Sequence, residues 1–241
     1  MSPFSGTRCA TSDAVDALLA QLQPVLNDIV LIGGQALNLW VERYASSCAE
    51  LSELAPLTSK DIDFFGTAAQ AELCAQLLGG TCQQFGPGEL TVAPGVVTTP
   101  AGVEIDLVHT PRGVSPDEIA TRAIQLASVR VMHPIHVLMS RAANVVHIPR
   151  TDQHSLKQLR AAVFVVREFV RETLRETAVR PALRLNEWAF EAAMSDDSLC
   201  VWRAYGVDFF DAVLIASELG EDFAKIRFPQ MSARLLARRN A

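Results

Sequence analysis

The chain has 241 residues, of which 49% are hydrophobic and 20% charged, and its formal net charge is -6 at pH 7. This composition is typical of a compact folded protein rather than a disordered one, and the negative charge argues against a general polyanion binder. The longest apolar runs, 29–32 and 161–166, are much shorter than the ~20 residues that a membrane span needs. Residues 1–12 lack the apolar stretch of a secretory signal. We therefore expect a cytoplasmic protein with no membrane association.

The N-terminal third of the chain alternates helix and strand signals. Ser12 or Asp13 can cap a helix that runs to Leu22, where the following Pro24 ends it. Residues 28–32 are a β-branched apolar run, which predicts a short buried strand before the Gly33-Gly34 turn. A helix is expected over 35–44, followed by a connection over 45–58.

The next segment predicts a small sheet with one more helix. A strand is expected over 60–65, and the alanine- and leucine-rich segment 68–78 predicts a helix that stops at Gly79-Gly80. Gly-Pro signals then separate four short strand-like runs. These runs are 83–85, 90–92, 96–98 and 103–108.

From about residue 116 apolar residues recur at helical spacing, which predicts a mostly helical C-terminal half. The expected helical segments are 119–124, 135–146, 156–174, 183–194 and 209–219. The predicted fold class is therefore α+β, with a small mixed-sheet domain over 1–132 and a helical domain over 133–241.

Two carboxylates stand close together in the second predicted strand. Asp61 and Asp63 lie at i and i+2, and the period of two in a strand directs both to the same side of the sheet. Two like charges that close need a counter-cation, and oxygen-only ligands select Mg²⁺ or Mn²⁺ rather than zinc. The pair therefore points to phosphate chemistry.

A second acidic strand follows over 103–108. Glu104 and Asp106 also lie at i and i+2 on one face, and either one can complete a metal triad with the first pair. Gly33 and Gly34, at a turn from strand to helix, offer backbone N–H groups and the positive end of a helix dipole to a triphosphate. Each feature alone is common, and their order and spacing together are far more specific.

This order of features resembles the polymerase-beta-like nucleotidyltransferase superfamily. The resemblance is carried by Leu31-Ile32-Gly33-Gly34 and by Thr58-Ser59-Lys60-Asp61-Ile62-Asp63-Phe64. Within the superfamily, the segments GGQALNLWVERY, TSKDIDFF and HPIHVLMSR are most similar to bacterial proteins related to the AbiEii-type toxins of abortive-infection and toxin–antitoxin systems. The similarity covers roughly residues 28–165.

The resemblance implies a nucleotidyltransferase that uses an NTP such as ATP as its substrate. Asp61 and Asp63 would then hold the metal ions, and Asp106 would join one metal and help to activate the attacking hydroxyl. Gly33 and Gly34 would bind the nucleotide phosphates. The superfamily often has serine where this chain has Gly34, which removes one hydroxyl from the phosphate grip.

Three further residues are candidates for nucleotide binding. Ser59 and Lys60 stand beside the acidic pair, although a regular strand would direct Lys60 to solvent. AbiEii-like proteins tend to carry a lysine about two turns after a proline on the helix that follows the catalytic domain. Here Arg141 follows Pro134, which keeps the positive charge and adds a fork that suits phosphate.

The acceptor stays open between RNA, a protein side chain and a small molecule. Residues 141–184 contain nine Arg/Lys against four Asp/Glu, which favours RNA slightly, although such a charge run is commonly only a solvated helix face. The alternative to an enzyme is a catalytically degenerate protein that keeps the fold and binds a partner such as an antitoxin. A third reading is a helical scaffold in which the acidic pair binds a structural cation.

Overall fold

A computed structural model describes residues 12–57, 59, 61–85, 93–148, 150–215 and 219–240. The helices are α1 (Ser12–Gln21), α2 (Gly33–Tyr44), α3 (Ala49–Leu54), α4 (Ala68–Leu78), α5 (Pro116–Arg122), α6 (Pro134–His147), α7 (Gln153–Glu176), α8 (Val179–Ala193), α9 (Asp196–Tyr205) and α10 (Phe228–Asn240). The strands are β1 (Val30–Ile32), β2 (Ile62–Phe65), β3 (Thr81–Gln84), β4 (Gly95–Thr98), β5 (Glu104–Val108), β6 (Ile124–Leu126) and β7 (Val129–Val131). A 3-10 turn spans Phe209–Ala212, and a π-helical segment, Phe223–Arg227, leads into α10.

The chain divides into two compact units, Met1–Leu39 with Pro56–Ser140, and Trp40–Ala55 with Arg141–Ala241. Both α2 and α6 begin in the first unit and end in the second. At two of the three boundaries the chain passes between units within a continuous helix, and at the third, after Ala55, it passes through a connection. The expected division into 1–132 and 133–241 stays a prediction.

The first unit is built on one mixed sheet, in which the described strands lie in the order β3-β4-β5-β2-β1-β7-β6. Strand β2 is antiparallel to β1 and parallel to β5, while β1 and β7 are parallel. The outer pairs β3-β4, β4-β5 and β6-β7 are antiparallel. The sheet confirms the predicted mixture of strand directions.

The two faces of the central strands differ in burial. Ile62, Phe64, Ile105 and Leu107 are at most 1% exposed, whereas the alternate positions on β2 and β5 are half-buried or exposed. Helix α4 packs on β3, β4 and β5. At Gly95 the two layers approach so closely that a Cβ there would lie 2.6 Å from the Cβ of Ala71 on α4. The acidic residues of β2 and β5 therefore occupy the opposite, more accessible face.

The second unit is helical, with the long α7 packed against α3, α8 and the 3-10 turn. Glu172 on α7 accepts a hydrogen bond of 2.6 Å from the Tyr44 hydroxyl and forms an ion pair with Arg43. Arg167 forms an ion pair of 2.7 Å with Glu50 of α3. These contacts hold the end of α2 and the short α3 against α7.

The predicted α+β class is confirmed, with a seven-stranded mixed sheet in the described residues and a helical C-terminal region. Two local expectations were wrong. Residues 45–58 contain α3, which buries Leu51, and 209–219 is not one helix. Residues 213–215, which follow the 3-10 turn, are not helical. The side chain of the fully buried Asn186 forms hydrogen bonds with both the N–H and the carbonyl of Leu214, at 2.8 Å each. Those backbone groups are thereby withdrawn from helical bonding.

Some sequence expectations were incomplete. The expected strand over 90–92 lies outside the described residues. Strand β6, helix α9 and helix α10 were not predicted. None of the helices in the described ranges is both long and apolar enough to cross a membrane.

Candidate active site

Two of the three predicted aspartates lie on one face of the sheet in the first unit, and the third stands just before strand β2. Asp63 on β2 and Asp106 on β5 are register partners in parallel strands, about 4.8 Å apart between backbones. Asp61 precedes β2 by one residue and is exposed, whereas Asp63 and Asp106 are half-buried. The structure therefore brings the predicted acidic strands together, at the point where β1 ends, since Ile32 pairs with Asp63.

The pKa of Asp106 reflects the negative charges of the neighbouring acidic side chains. Burial is the main cause that raises the pKa of Asp106 above its ordinary value, and the negative charges of Asp61 and Glu104 raise it further. A cation placed among such carboxylates offsets their mutual repulsion and stabilises their ionised forms. Glu104, one of the two candidates for the third carboxylate, is exposed and acts on Asp106 electrostatically.

Gly33 is held against Asp63 at the start of α2. A Cβ on Gly33 would lie only 2.1 Å from Oδ2 of Asp63, and the backbone of Gly33 has a φ of +67°. Only glycine combines this left-handed conformation with so close an approach. The Asp63 carboxylate thus lies over the first residue of α2, where the positive end of the helix dipole stabilises a negative charge.

The remaining residues of the turn connect α2 to the acidic strand. Gly34 is buried in the first turn of α2. Gln35, only 5% exposed, donates from Nε2 to the carbonyl of Ser59 at 3.5 Å, and the Ser59 hydroxyl donates to the carbonyl of Asp61 at 3.0 Å. Gln35 is thus a positioning residue that sequence reasoning missed, and its place directly after Gly34 was the only available signal.

The two remaining nucleotide ligands expected from the sequence, Lys60 and Arg141, stay predictions. Lys60 lies outside the described residues. Arg141 lies on α6 in the second unit, where its Nη1 donates to Oε1 of Gln158 at 3.0 Å. Gln158 is 4% exposed and its Nε2 lies 3.0 Å from Nε2 of His154. The Arg141 guanidinium is therefore oriented by a buried amide of α7.

A divalent cation fits the chemistry of the acidic cluster. Within the described residues no three His, Cys, Asp or Glu side chains are grouped closely enough to hold a metal ion by themselves. Mg²⁺ does not need such a cage, because proteins commonly bind it through one or two carboxylates, water and the phosphates of a substrate. The all-oxygen donors Asp61, Asp63 and Asp106 suit such a cation, and burial together with the nearby charges of Asp61 and Glu104 raises the pKa of Asp106.

Two rings lie beyond the carboxylates on the same strands. Phe65 is half-buried and His109 is exposed just after β5, and their rings are parallel within 8° with centroids 6.2 Å apart. His109 was expected to have a surface or structural role, as were His133 and His136 around the start of α6. The latter two are buried, and burial lowers the pKa of His133 to about 3 and that of His136 to about 4.

The chain matches no known family profile, and no curated protein sequence is similar to it. Among solved structures, the crystal structure of the Megavirus polyadenylate synthase is similar with a TM-score of 0.44 and 10% sequence identity. The match covers 95% of this chain and 50% of that protein, so the chain spans about half of its length. A likeness this distant assigns the chain neither to a family nor to an activity.

Proposed function

We propose that the chain is a metal-dependent nucleotidyltransferase, which moves a nucleoside monophosphate from an NTP to a hydroxyl or phosphate acceptor. The observation that carries the proposal is the placement of Asp63 and Asp106 as register partners, with the Asp63 carboxylate directly against Gly33. A turn into a helix and paired carboxylates are the two parts that nucleotidyl transfer needs, one for phosphate and one for cations. The resemblance of the sequence motifs supports the same assignment.

The residues divide the chemistry among them. Asp61 and Asp63 would hold Mg²⁺ or Mn²⁺, which neutralises phosphate oxygens during transfer. An acceptor hydroxyl attacks the α-phosphorus, the bond from that phosphorus to the bridging oxygen breaks, and pyrophosphate leaves. Asp106 takes the proton of the hydroxyl, a role that suits a carboxylate whose pKa is raised by burial.

The experiment measures transfer of label from each α-labelled NTP, with Mg²⁺ or Mn²⁺, to RNA and to protein acceptors. Asp63→Asn and Asp106→Asn should each reduce transfer by at least about 100-fold. Glu72→Gln is the matched control, because Glu72 is an exposed acid on α4, which covers the other face of the sheet. Equal transfer by wild type and both variants would refute catalysis at this site.

The role in the cell is a further part of the proposal. Similarity to AbiEii-type toxins leads us to expect growth arrest on expression, relief by Asp63→Asn and a partner antitoxin. NTP binding without any transfer would instead favour the degenerate binding protein. The enzyme would be supported if the wild type loses NTP binding when the metal is removed and Asp63→Asn shows no such dependence on the metal.

A further inference from the structure

We infer that the parallel rings of Phe65 and His109 form a stacking surface for the nucleobase of the bound NTP. This inference rests on the proposed function, since it places the nucleoside on the same sheet face as the carboxylates. The ligand class is a planar heteroaromatic base attached to a polyphosphate. Among the described residues of the site, only Phe65 and His109 offer an aromatic face.

The order of groups along the strands sets the direction of the nucleotide. In the antiparallel β1-β2 pair, Ile32 lies opposite Asp63 and Val30 lies opposite Phe65. Gly33 therefore lies on one side of Asp63 and Phe65 on the other, at a strand distance of about 6.6 Å from Asp63. On β5, Asp106 and Val108 repeat this order, and His109 follows.

An NTP has the same linear order of parts. The β- and γ-phosphates lie on one side of the α-phosphate, and the ribose and base lie on the other. With the phosphates toward Gly33 and the α-phosphate at Asp63 and Asp106, the nucleoside extends toward Phe65 and His109. The phosphate-binding turn, the carboxylates and the aromatic rings thus follow one another along the sheet in the same order as the parts of the nucleotide.

The ring of His109 is available for such a contact. It is exposed, and among the described residues its only hydrogen-bond, ion-pair or ring partner is the Phe65 ring. Packing of the core does not depend on it, because the buried face of β5 is formed by Ile105 and Leu107. Aromatic side chains bind bases through their flat faces, with a loss of roughly 5- to 150-fold in affinity when one is removed.

The test compares the binding of ATP and of inorganic tripolyphosphate, both with Mg²⁺, by isothermal titration calorimetry. His109→Ser should weaken ATP binding by about 10-fold and leave tripolyphosphate binding unchanged. His109→Phe keeps a ring and should restore ATP binding to near the wild-type value. The loss in His109→Ser should be smaller for UTP than for ATP, because a pyrimidine covers less of the ring surface.

The outcomes separate this inference from the proposed function. If wild type binds neither ATP nor tripolyphosphate, both are wrong. If wild type binds ATP and His109→Ser binds it equally well, the stacking surface alone is wrong. Equal losses for ATP and tripolyphosphate would show a general effect of His109 on anions or on folding, and would also overturn the inference.

Discussion

Replacement of Gly33 by alanine probes the contact that joins the glycine turn to the acidic strand. The new Cβ would meet Oδ2 of Asp63 at 2.1 Å and its Cγ at 3.0 Å, and the residue would keep a φ of +67°. Two separate costs therefore arise, one from the backbone conformation and one from the clash. The neighbours that must move are the atoms of a carboxylate placed in the candidate site.

The magnitudes of the two costs follow from the geometry. A non-glycine residue in the left-handed region costs about 1–2 kcal/mol. An oxygen at 2.1 Å must move by more than an ångström, and such overpacking costs about 1–3 kcal/mol more. We expect Gly33→Ala to lower the free energy of unfolding by about 2–5 kcal/mol in total.

Gly79→Ala is the matched control. Gly79 has a φ of +62°, and nothing lies within 4 Å of the position of its Cβ, so only the backbone cost remains. Denaturant unfolding of Gly33→Ala, Asp63→Ala and the double variant then forms a cycle. In the Asp63→Ala background the cost of Gly33→Ala should fall to slightly above that of Gly79→Ala, because the Cβ at position 63 stays 3.1 Å from the new methyl group. Equal destabilisation by the two glycine variants in the wild-type background would refute the contact.

Two further predictions concern stability. The folded-state pKa values of His133 and His136, about 3 and about 4, lie below the unfolded value of 6.5, so stability should be full above pH 6.5 and fall as the pH drops toward 4. The free energy of unfolding lost through His136 is on the order of 3 kcal/mol. The free energy of unfolding of His136→Asn should therefore depend less on pH, and the same pH dependence as wild type between pH 7 and 4 would contradict this. Asn186→Ala leaves both backbone groups of Leu214 unpaired in a buried site and should cost about 2–4 kcal/mol in denaturant unfolding; a change below 0.5 kcal/mol, within the usual range of a surface substitution, would count against this.

Local patterns in the sequence were sufficient for most of the elements. Helix α4 was predicted with the bounds that it has, because its composition and Gly79 are local signals. The structure adds a capping box in which Thr67 and Gln70 bond at its start. Helix α3 was missed because its six residues are stabilised by packing on α7 and by the ion pair of Glu50 with Arg167. The helix expected over 209–219 was wrong because a residue far away in the chain, Asn186, takes the backbone bonds of Leu214.

The acidic site divides in the same way. The spacing of Asp61 and Asp63, and the acidic strand that contains Asp106, were sufficient to predict that their side chains share a face, because a strand has a period of two. That β2 and β5 are neighbours with Asp63 opposite Asp106 depends on strand pairing across a long segment of chain. Sequence spacing alone carries no information on such register.

The sequence by itself determined the residue types, the strand and helix signals, and the turn at Gly33-Gly34. Tertiary structure decided that Asp63 fills the space above that glycine, that Gln35 holds Ser59, and that the ring of His109 stacks on Phe65. Each of these contacts joins residues from different elements. Their distances follow from how the sheet and helices pack, which local propensity does not encode.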